Sequence, residues 1–263
     1  MAPSILRAST PGRGIKFRGI GSPRTGICHV SRNPLGFMQN TDVHSTRTTD
    51  QRRTMKLLAP SLRLAIVLLG IAAIVSTFFD TATRATINPF NFFGFFTMQS
   101  NIIVVIVLAV SAFVSFLGRH QSPRLVLARG CATTYIVITG FVYNLLLAGL
   151  EGGVSLAWAN TVLHVVLPLA AALDWLIFND RSPLRWNEIW IALIYPIVWI
   201  MVVLVRGATD GWVPYPFLNP AQGYSIVALY ALAIAVATVI FAAVIWTVSR
   251  SNPLRSPALA EMR

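Results

Sequence analysis

The sequence has few charged residues and very few cysteines. Only 11% of its 263 residues are charged, whereas a soluble domain carries about 25%. So few charges cannot cover a water-facing surface, which excludes an ordinary soluble enzyme. The two cysteines, Cys28 and Cys131, offer neither a metal cluster nor a disulfide framework. We therefore expect no metal and no other cofactor.

Positive charge is present but unevenly distributed. The formal net charge is +12, and residues 1–63 contribute most of it, with eleven Lys and Arg against Asp42 and Asp50. A basic tail beside a membrane block is typical of the cytoplasmic side, where it contacts anionic lipid headgroups. No basic patch interleaved with aromatic residues accompanies it, so nucleic acid is not an expected partner.

Long hydrophobic runs make up most of the rest of the chain. Hydrophobic residues account for 55% of the sequence, and the mean hydropathy is +0.66. Six apolar segments each have close to the number of residues, about 20, that a helix needs to cross about 30 Å of hydrocarbon. They lie at 62–80, 92–117, 125–149, 157–178, 187–206 and 224–248. In hydrocarbon each segment must satisfy its own backbone polar groups, so the prediction is an all-α integral membrane protein with a six-transmembrane-helix bundle.

The predicted organisation is a tail, a membrane domain and a second short tail. Residues 1–60 are rich in Arg, Ser, Thr, Gly and Pro and are predicted to be a disordered basic tail. Met55 is followed by Lys56 and an apolar run, which resembles a natural start. Residues 1–54 are therefore either part of the protein or an over-extended gene start. The six-helix membrane domain is predicted at 61–249, and a short tail at 250–263.

The loops predict the orientation of the bundle. Basic links and ends alternate with sparsely basic loops, and the basic ones hold Arg119, Arg124, Arg181, Arg185, Arg250 and Arg255. The positive-inside bias then places both termini in the cytoplasm, and we expect a multi-pass protein of the cell membrane in contact with membrane lipids. Asp174 is expected near the inner interface, either solvated or paired with Arg181 or Arg185.

Polar side chains within the membrane segments concentrate in the predicted outer half. Thr97 and Asn101 lie early in the second segment, and Asn160 and His164 share one face of the fourth. Intramembrane polar residues are expensive and are functional candidates by default. They predict a polar chamber that opens toward the outer leaflet. The structural alternative is that Thr97 bonds its own helix backbone and that His164 hydrogen-bonds across helices as part of the packing.

The connection between the last two segments, residues 206–223, is called the lid below. Its three prolines indicate a rigid, turn-rich segment, and Trp212, Tyr215 and Phe217 are its candidate covering residues. Arg206 at its start either holds a carboxylate or phosphate of a substrate or extends to the lipid headgroups.

Three short motifs occur in the order seen in a known family. They are Phe95-Phe96-Thr97, then Asn160 with His164 and a downstream proline, and then Trp212 through Phe217. Together they resemble the androgen-induced membrane hydrolase family, whose members are six-pass threonine hydrolases that cleave fatty acid esters of hydroxy fatty acids. The stretch from Phe96 to Asn101 is also similar to a bacterial branch of uncharacterised six-pass membrane proteins. The resemblance covers roughly residues 79–246.

The resemblance implies a reaction and two catalytic residues. Thr97 would be the nucleophile and His164 its general base, acting on a long-chain acyl ester. Two prolines depart from the family pattern, Pro168 near the histidine and Pro214 within the lid.

The functional hypothesis is a lipid-ester hydrolase that works in the outer-half chamber. Asn101 or Asn160 would bind the oxyanion, and Arg206 the substrate. The alternatives are a non-enzymatic membrane protein that binds or transports a small lipid or solute, and a structural subunit.

Overall fold

The computed structural model of the protein describes residues 41–149 and 156–251, with side chains from residue 57 onward. Contacts divide the chain into residues 1–44 and 45–263, and apart from residues 41–44 of the first helix everything discussed below lies in the second unit. The predictions for residues 1–40 and for 252–263 lie outside the described residues. Residues 41–60, which the sequence analysis assigned to the tail, form the first part of a helix.

Among the described residues, all regular secondary structure is helical, and six helices are long and apolar enough to cross a membrane. They are α1 (Thr41–Arg84, apolar over Leu57–Arg84), α2 (Phe96–Phe116), α3 (Pro123–Leu147), α4 (Ala157–Ile177), α5 (Ile191–Thr209) and α6 (Tyr224–Arg250). Apart from the start of α1 at Thr41, these bounds agree with the predicted segments to within a few residues. The predicted six-helix membrane fold is confirmed.

Local sequence explains where helices begin and end. Ser122 accepts a hydrogen bond from the N–H of Leu125, and Pro123 occupies the first turn of α3, where its missing N–H costs nothing. Gly118, just after α2, has a φ of 66°, a left-handed conformation that glycine adopts without strain.

Helix α3 is the centre of the bundle. It packs against α2, α4 and α6, and 67% of its apolar span is buried, against 11% for α5 and 17% for α6. The two outer helices instead expose large aliphatic side chains such as Met201, Val205 and Leu229. An exposed apolar surface of this kind suits a helix that faces lipid.

A closed ring of ion pairs ties α1, α3 and α4 together at the end of the bundle away from the lid. Arg63 binds Asp174 at 2.7 Å and Asp180 at 2.5 Å, and Arg129 binds the same two carboxylates at 2.7 and 3.0 Å. Gln121 adds hydrogen bonds to Asp180 and from Arg129. Arg63 and Arg129 are almost completely buried, so the two positive charges require these two negative partners. We call this end of the bundle the ring end and the other the lid end.

The ring corrects the expectation that Asp174 is solvated or pairs with Arg181 or Arg185. Arg181 instead donates to the backbone carbonyls of Phe178 and Val248, so its terminal nitrogens are already engaged. Burial explains why Asp174 pairs with other arginines. Arg63 and Arg129 are buried and cannot be solvated by water, so they need a carboxylate partner. The side chain of Arg185 is 77% exposed and is solvated without one.

Candidate functional site

Thr97 lies in the first turn of α2 and contacts the lid directly. Its backbone N–H donates to the phenol oxygen of Tyr215 at 3.2 Å, and its Oγ1 lies 3.3 Å from the same oxygen. A first-turn N–H has no acceptor within its own helix, so the lid satisfies it. Because the phenol oxygen accepts this N–H, the Tyr215 O–H is available to donate to Thr97 Oγ1 or to a ligand.

Tyr215 is held in an aromatic cluster that excludes water. Its ring centroid lies 5.7 Å from that of Phe95, 5.3 Å from Phe217 and 5.8 Å from Trp199. Burial raises the pKa of Tyr215, outweighing the hydrogen bonds with Thr97 that lower it. The phenol is therefore neutral and acts as a proton donor in hydrogen bonds.

A cavity of about 380 Å³ lies beside Thr97 and Tyr215. Its polar lining residues are Thr97, Thr139, Tyr215 and Thr238, and the others are mainly aliphatic and aromatic side chains of α5 and α6, among them Leu193, Trp199, Ile200, Ile234 and Ala235. The sequence predicts a polar chamber at this end. The cavity is mostly apolar because α5 and α6, which carry few polar residues, form its walls.

The cavity reaches the outer surface of the bundle between α5 and α6. Ile197, Val236 and Ile240 line the cavity and are also 50–56% exposed. An apolar opening on the lipid-facing side of a membrane bundle admits apolar groups from the hydrocarbon without passage through water.

His164 lies on α4 and is 4% exposed. Its Nδ1 lies 3.0 Å from the carbonyl oxygen of Asn160, and its ring stacks on Tyr143 with 3.6 Å between centroids. Because a carbonyl only accepts, Nδ1 carries the proton of the neutral imidazole. This arrangement leaves Nε2 as the proton acceptor, which is the state that a general base needs.

Pro168 shapes the backbone around His164. Proline has no N–H to give to the carbonyl four residues earlier, and residues Val162–Val166 adopt the wider π-helical turn. The freed carbonyl of His164 accepts a hydrogen bond from Asn144 Nδ2 at 3.1 Å, and Asn144 belongs to the π-helical end of α3, Tyr143–Leu147. Two irregular turns thus face each other across the histidine.

The fit between α3 and α4 at this point depends on Gly140. A Cβ added there would lie 2.9 Å from Cβ of Pro168 and 3.0 Å from the carbonyl oxygen of His164, closer than real Cβ contacts. Only glycine permits this spacing.

Asn101 connects the two catalytic candidates through the backbone. Its Nδ2 donates to the carbonyl of Thr97 at 2.8 Å and to that of Leu163, the neighbour of His164, at 3.3 Å. Both amide hydrogens are thus engaged, and a role in binding an oxyanion requires one of them to change its acceptor. Asn160, the other oxyanion candidate, donates to the hydroxyl of Tyr143 at 2.6 Å.

In the structure Thr97 and His164 have separate partners. Among the described residues, Tyr215 is the hydrogen-bond partner of the Thr97 hydroxyl, and Asn160 is that of the imidazole. The pairing of nucleophile and base stays a prediction.

The guanidinium of Arg206 is bonded to residues in and next to the lid and is not free to bind a substrate in this structure. Its guanidinium binds Asp210 at 2.7 and 2.9 Å and Asn91 at 2.7 Å, and lies 4.2 Å from the ring centroid of Trp212. Hydrogen bonds from the Trp212 N–H and from Arg206 lower the pKa of Asp210. A cavity of about 770 Å³ that also includes Gln99 adjoins this group.

Two contributors were not singled out by sequence reasoning. The sequence-based prediction does not include Tyr143, although this residue stacks on His164 and accepts a hydrogen bond from Asn160. Tyr215 was assigned to the lid, but not as the partner of Thr97. No local pattern reports a contact that spans 118 residues. Among the described residues, no group of three or more His, Cys, Asp and Glu is placed to hold a metal ion.

Comparison with known proteins gives one family. The sequence model of the FAR-17a/AIG1-like proteins matches residues 142–247. The match includes His164 and the lid but not Thr97, and it covers less than half of the chain. It confirms the predicted distant similarity to the androgen-induced family. No curated protein and no solved structure matches the chain.

Proposed function

We propose that this polytopic membrane protein is a lipid-ester hydrolase that acts within the bilayer, with Thr97 as its nucleophile. One observation carries the proposal: the buried Thr97 hydroxyl lies at the wall of an apolar cavity that opens toward lipid, next to a neutral phenol. The cavity suits a long acyl chain, and the two hydroxyl groups suit the ester carbonyl at its end.

In the proposed first step Thr97 Oγ1 attacks the ester carbonyl carbon, and His164 Nε2 takes its proton. Tyr215 donates a hydrogen bond to the carbonyl oxygen as that oxygen gains negative charge. The alcohol then leaves with the proton from His164, and the acyl group remains on Thr97. Water activated by His164 releases the fatty acid and restores the threonine.

The proposal requires substrate binding to bring Thr97 Oγ1 and His164 Nε2 together, since His164 is not among the residues that line the cavity at Thr97. A general base must come within about 2.6–3.2 Å of the proton it removes, and catalytic hydrogen bonds commonly tighten only when substrate is bound. An ester carbonyl that accepts from Tyr215 competes with Thr97 Oγ1, 3.3 Å away, for the Tyr215 O–H. The threonine hydroxyl is then free to donate to His164 Nε2.

The alternative function is binding or movement of a small lipid or solute through the same cavity without chemistry. Its support is that both candidate residues have partners that explain their burial: Tyr215 for Thr97, and Asn160 with Tyr143 for His164. Polar side chains in membrane bundles often serve packing in this way.

Labelling with a fluorophosphonate distinguishes the two functions, because it requires an activated hydroxyl. We expect the purified native protein to be labelled and Thr97→Ala to lose the label. Thr161→Ala is the matched control, since Thr161 lies on α4, is exposed and bonds only the backbone of its own helix. A native protein that retains lipid yet takes no label and hydrolyses no long-chain ester supports the binding protein instead.

A further inference from the structure

A second cavity, of about 390 Å³, lies at the ring end, between the α2–α3 link and the α4–α5 link. Its lining differs in kind from that of the cavity at Thr97. Hydrogen-bond donors and positive charges line it: Ser115, Arg119, His120, Asn179, Arg181 and Ser182.

The one acidic residue of this cavity is already neutralised from inside the bundle. Asp180 binds Arg129 through Oδ1 and both Arg63 and Gln121 through Oδ2. Burial alone would raise the pKa of Asp180, but the ion pairs with Arg63 and Arg129 hold it below the ordinary value. The carboxylate is therefore charged and committed to the ring, and the charges of Arg119 and Arg181 have no counterpart in the cavity.

Arg181 is a fixed cation rather than a mobile surface side chain. Its terminal nitrogens donate to the carbonyls of Phe178 and Val248, and its guanidinium lies 5.1 Å from the ring centroid of Trp175. Its Nε–H is buried and has no acceptor among the described residues. Because this guanidinium is held in place beside the cavity, it gives the lining a permanent positive charge that attracts an anion.

We propose that this cavity binds a phosphate group that carries net negative charge. A phosphate offers several oxygens, which matches a lining of guanidinium, imidazole, amide and hydroxyl donors better than the two oxygens of a carboxylate. Either an anionic phospholipid headgroup or free phosphate supplies this chemistry. The cavity adjoins the membrane ends of α2 and α4, where lipid headgroups lie. The proposal does not depend on the hydrolase function.

Native mass spectrometry of the full-length, detergent-solubilised protein tests the proposal. Phosphatidylglycerol, zwitterionic phosphatidylcholine and inorganic phosphate are added separately as probes. We expect selective retention of phosphatidylglycerol, or of inorganic phosphate if the free ion is the ligand, over phosphatidylcholine. Arg119→Gln and Arg181→Gln should each weaken that retention roughly tenfold, as expected for loss of a charge-assisted contact.

Arg185→Gln is the matched control, because Arg185 lies in the same link but does not line the cavity. It should bind as the native protein does. Arg119→Gln keeps the test decisive if Arg181→Gln unfolds, since Arg119 is exposed in a link. Equal binding by the native protein and Arg119→Gln, or equal retention of the two lipids with no binding of phosphate, would overturn the proposal.

Discussion

The phenol oxygen of Tyr215 lies 3.3 Å from Oγ1 of Thr97 and accepts the backbone N–H of the same residue. A lid residue therefore completes the first turn of α2 and touches the candidate nucleophile. The position of Tyr215 and the environment of the Thr97 hydroxyl are therefore coupled through this one contact.

Removal of the Tyr215 hydroxyl should damage catalysis more than folding. Tyr215→Phe keeps the aromatic packing but removes the donor to the carbonyl oxygen, so kcat for a long-chain ester should fall about 10²-fold. The free energy of unfolding should fall by only about 1 kcal/mol. Tyr224→Phe, at a residue that is 71% exposed, should change neither quantity. Unchanged kcat in Tyr215→Phe would remove the phenol from the mechanism.

Thr97 and His164 should behave as one unit if they are nucleophile and base. Thr97→Ala, His164→Ala and the double variant should then have nearly the same residual hydrolysis of a long-chain acyl ester, about 10²–10⁴-fold below the native rate. Thr97→Ser keeps the hydroxyl and should retain measurable activity. Losses that add in the double variant would show that the two residues act separately.

A larger side chain in the cavity should change the preference for chain length. Ala231 lines the cavity from α6, so Ala231→Phe should lower kcat/KM for long-chain esters roughly tenfold and affect short-chain esters less. Ala233→Phe places the same ring on the exposed side of the same helix and should have little effect. Equal losses for long and short esters would argue against the cavity as the acyl site.

Breaking the ring should strongly destabilise the bundle. Asp174→Asn leaves Arg63 and Arg129 buried with half of their negative charge removed, at a cost of about 3–5 kcal/mol. Thermal unfolding in detergent measures this as a lower Tm. Glu188→Gln breaks only a partly exposed pair with Arg185 at 4.0 Å and should cost about 0–1 kcal/mol. Similar Tm values for the two variants would contradict a structural role for the ring.

The orientation of the bundle can be tested independently of function. The basic links predict that both termini lie in the cytoplasm, so a reporter fused after Arg263 should give a cytoplasmic signal. An extracytoplasmic signal would invert the bundle and place Thr97 and the lid at the inner leaflet.

The six helices could be predicted because membrane helices are specified by local composition. A run of about 20 apolar residues in hydrocarbon has few stable forms other than an α-helix. Each segment can therefore be recognised from its own composition, without knowledge of the segments around it. The start of the first helix was less well placed: α1 begins at Thr41, within a polar stretch that has no apolar pattern.

The partners within the site could not be predicted to the same degree. Thr97, His164 and the lid could be singled out because polar residues within apolar segments, and clustered prolines, are visible in the local sequence. The partners of these residues depend on how the helices pack. Tyr215 meets Thr97 across 118 residues, and Arg63 meets Asp174 across 111. Several residues of suitable chemistry were available for each contact, and only the folded arrangement selects one.

The position of the histidine is encoded partly in a residue that has no side chain. Gly140 lets the ring of Pro168 lie against α3, and any added carbon would push α4 outward together with the imidazole. In the proposed hydrolase both candidate residues would still be present after such a change, but His164 would be displaced relative to Thr97. If the proposed activity exists, a screen for its loss would score position 140 beside Thr97 and His164, although Gly140 contributes no atom to the proposed chemistry.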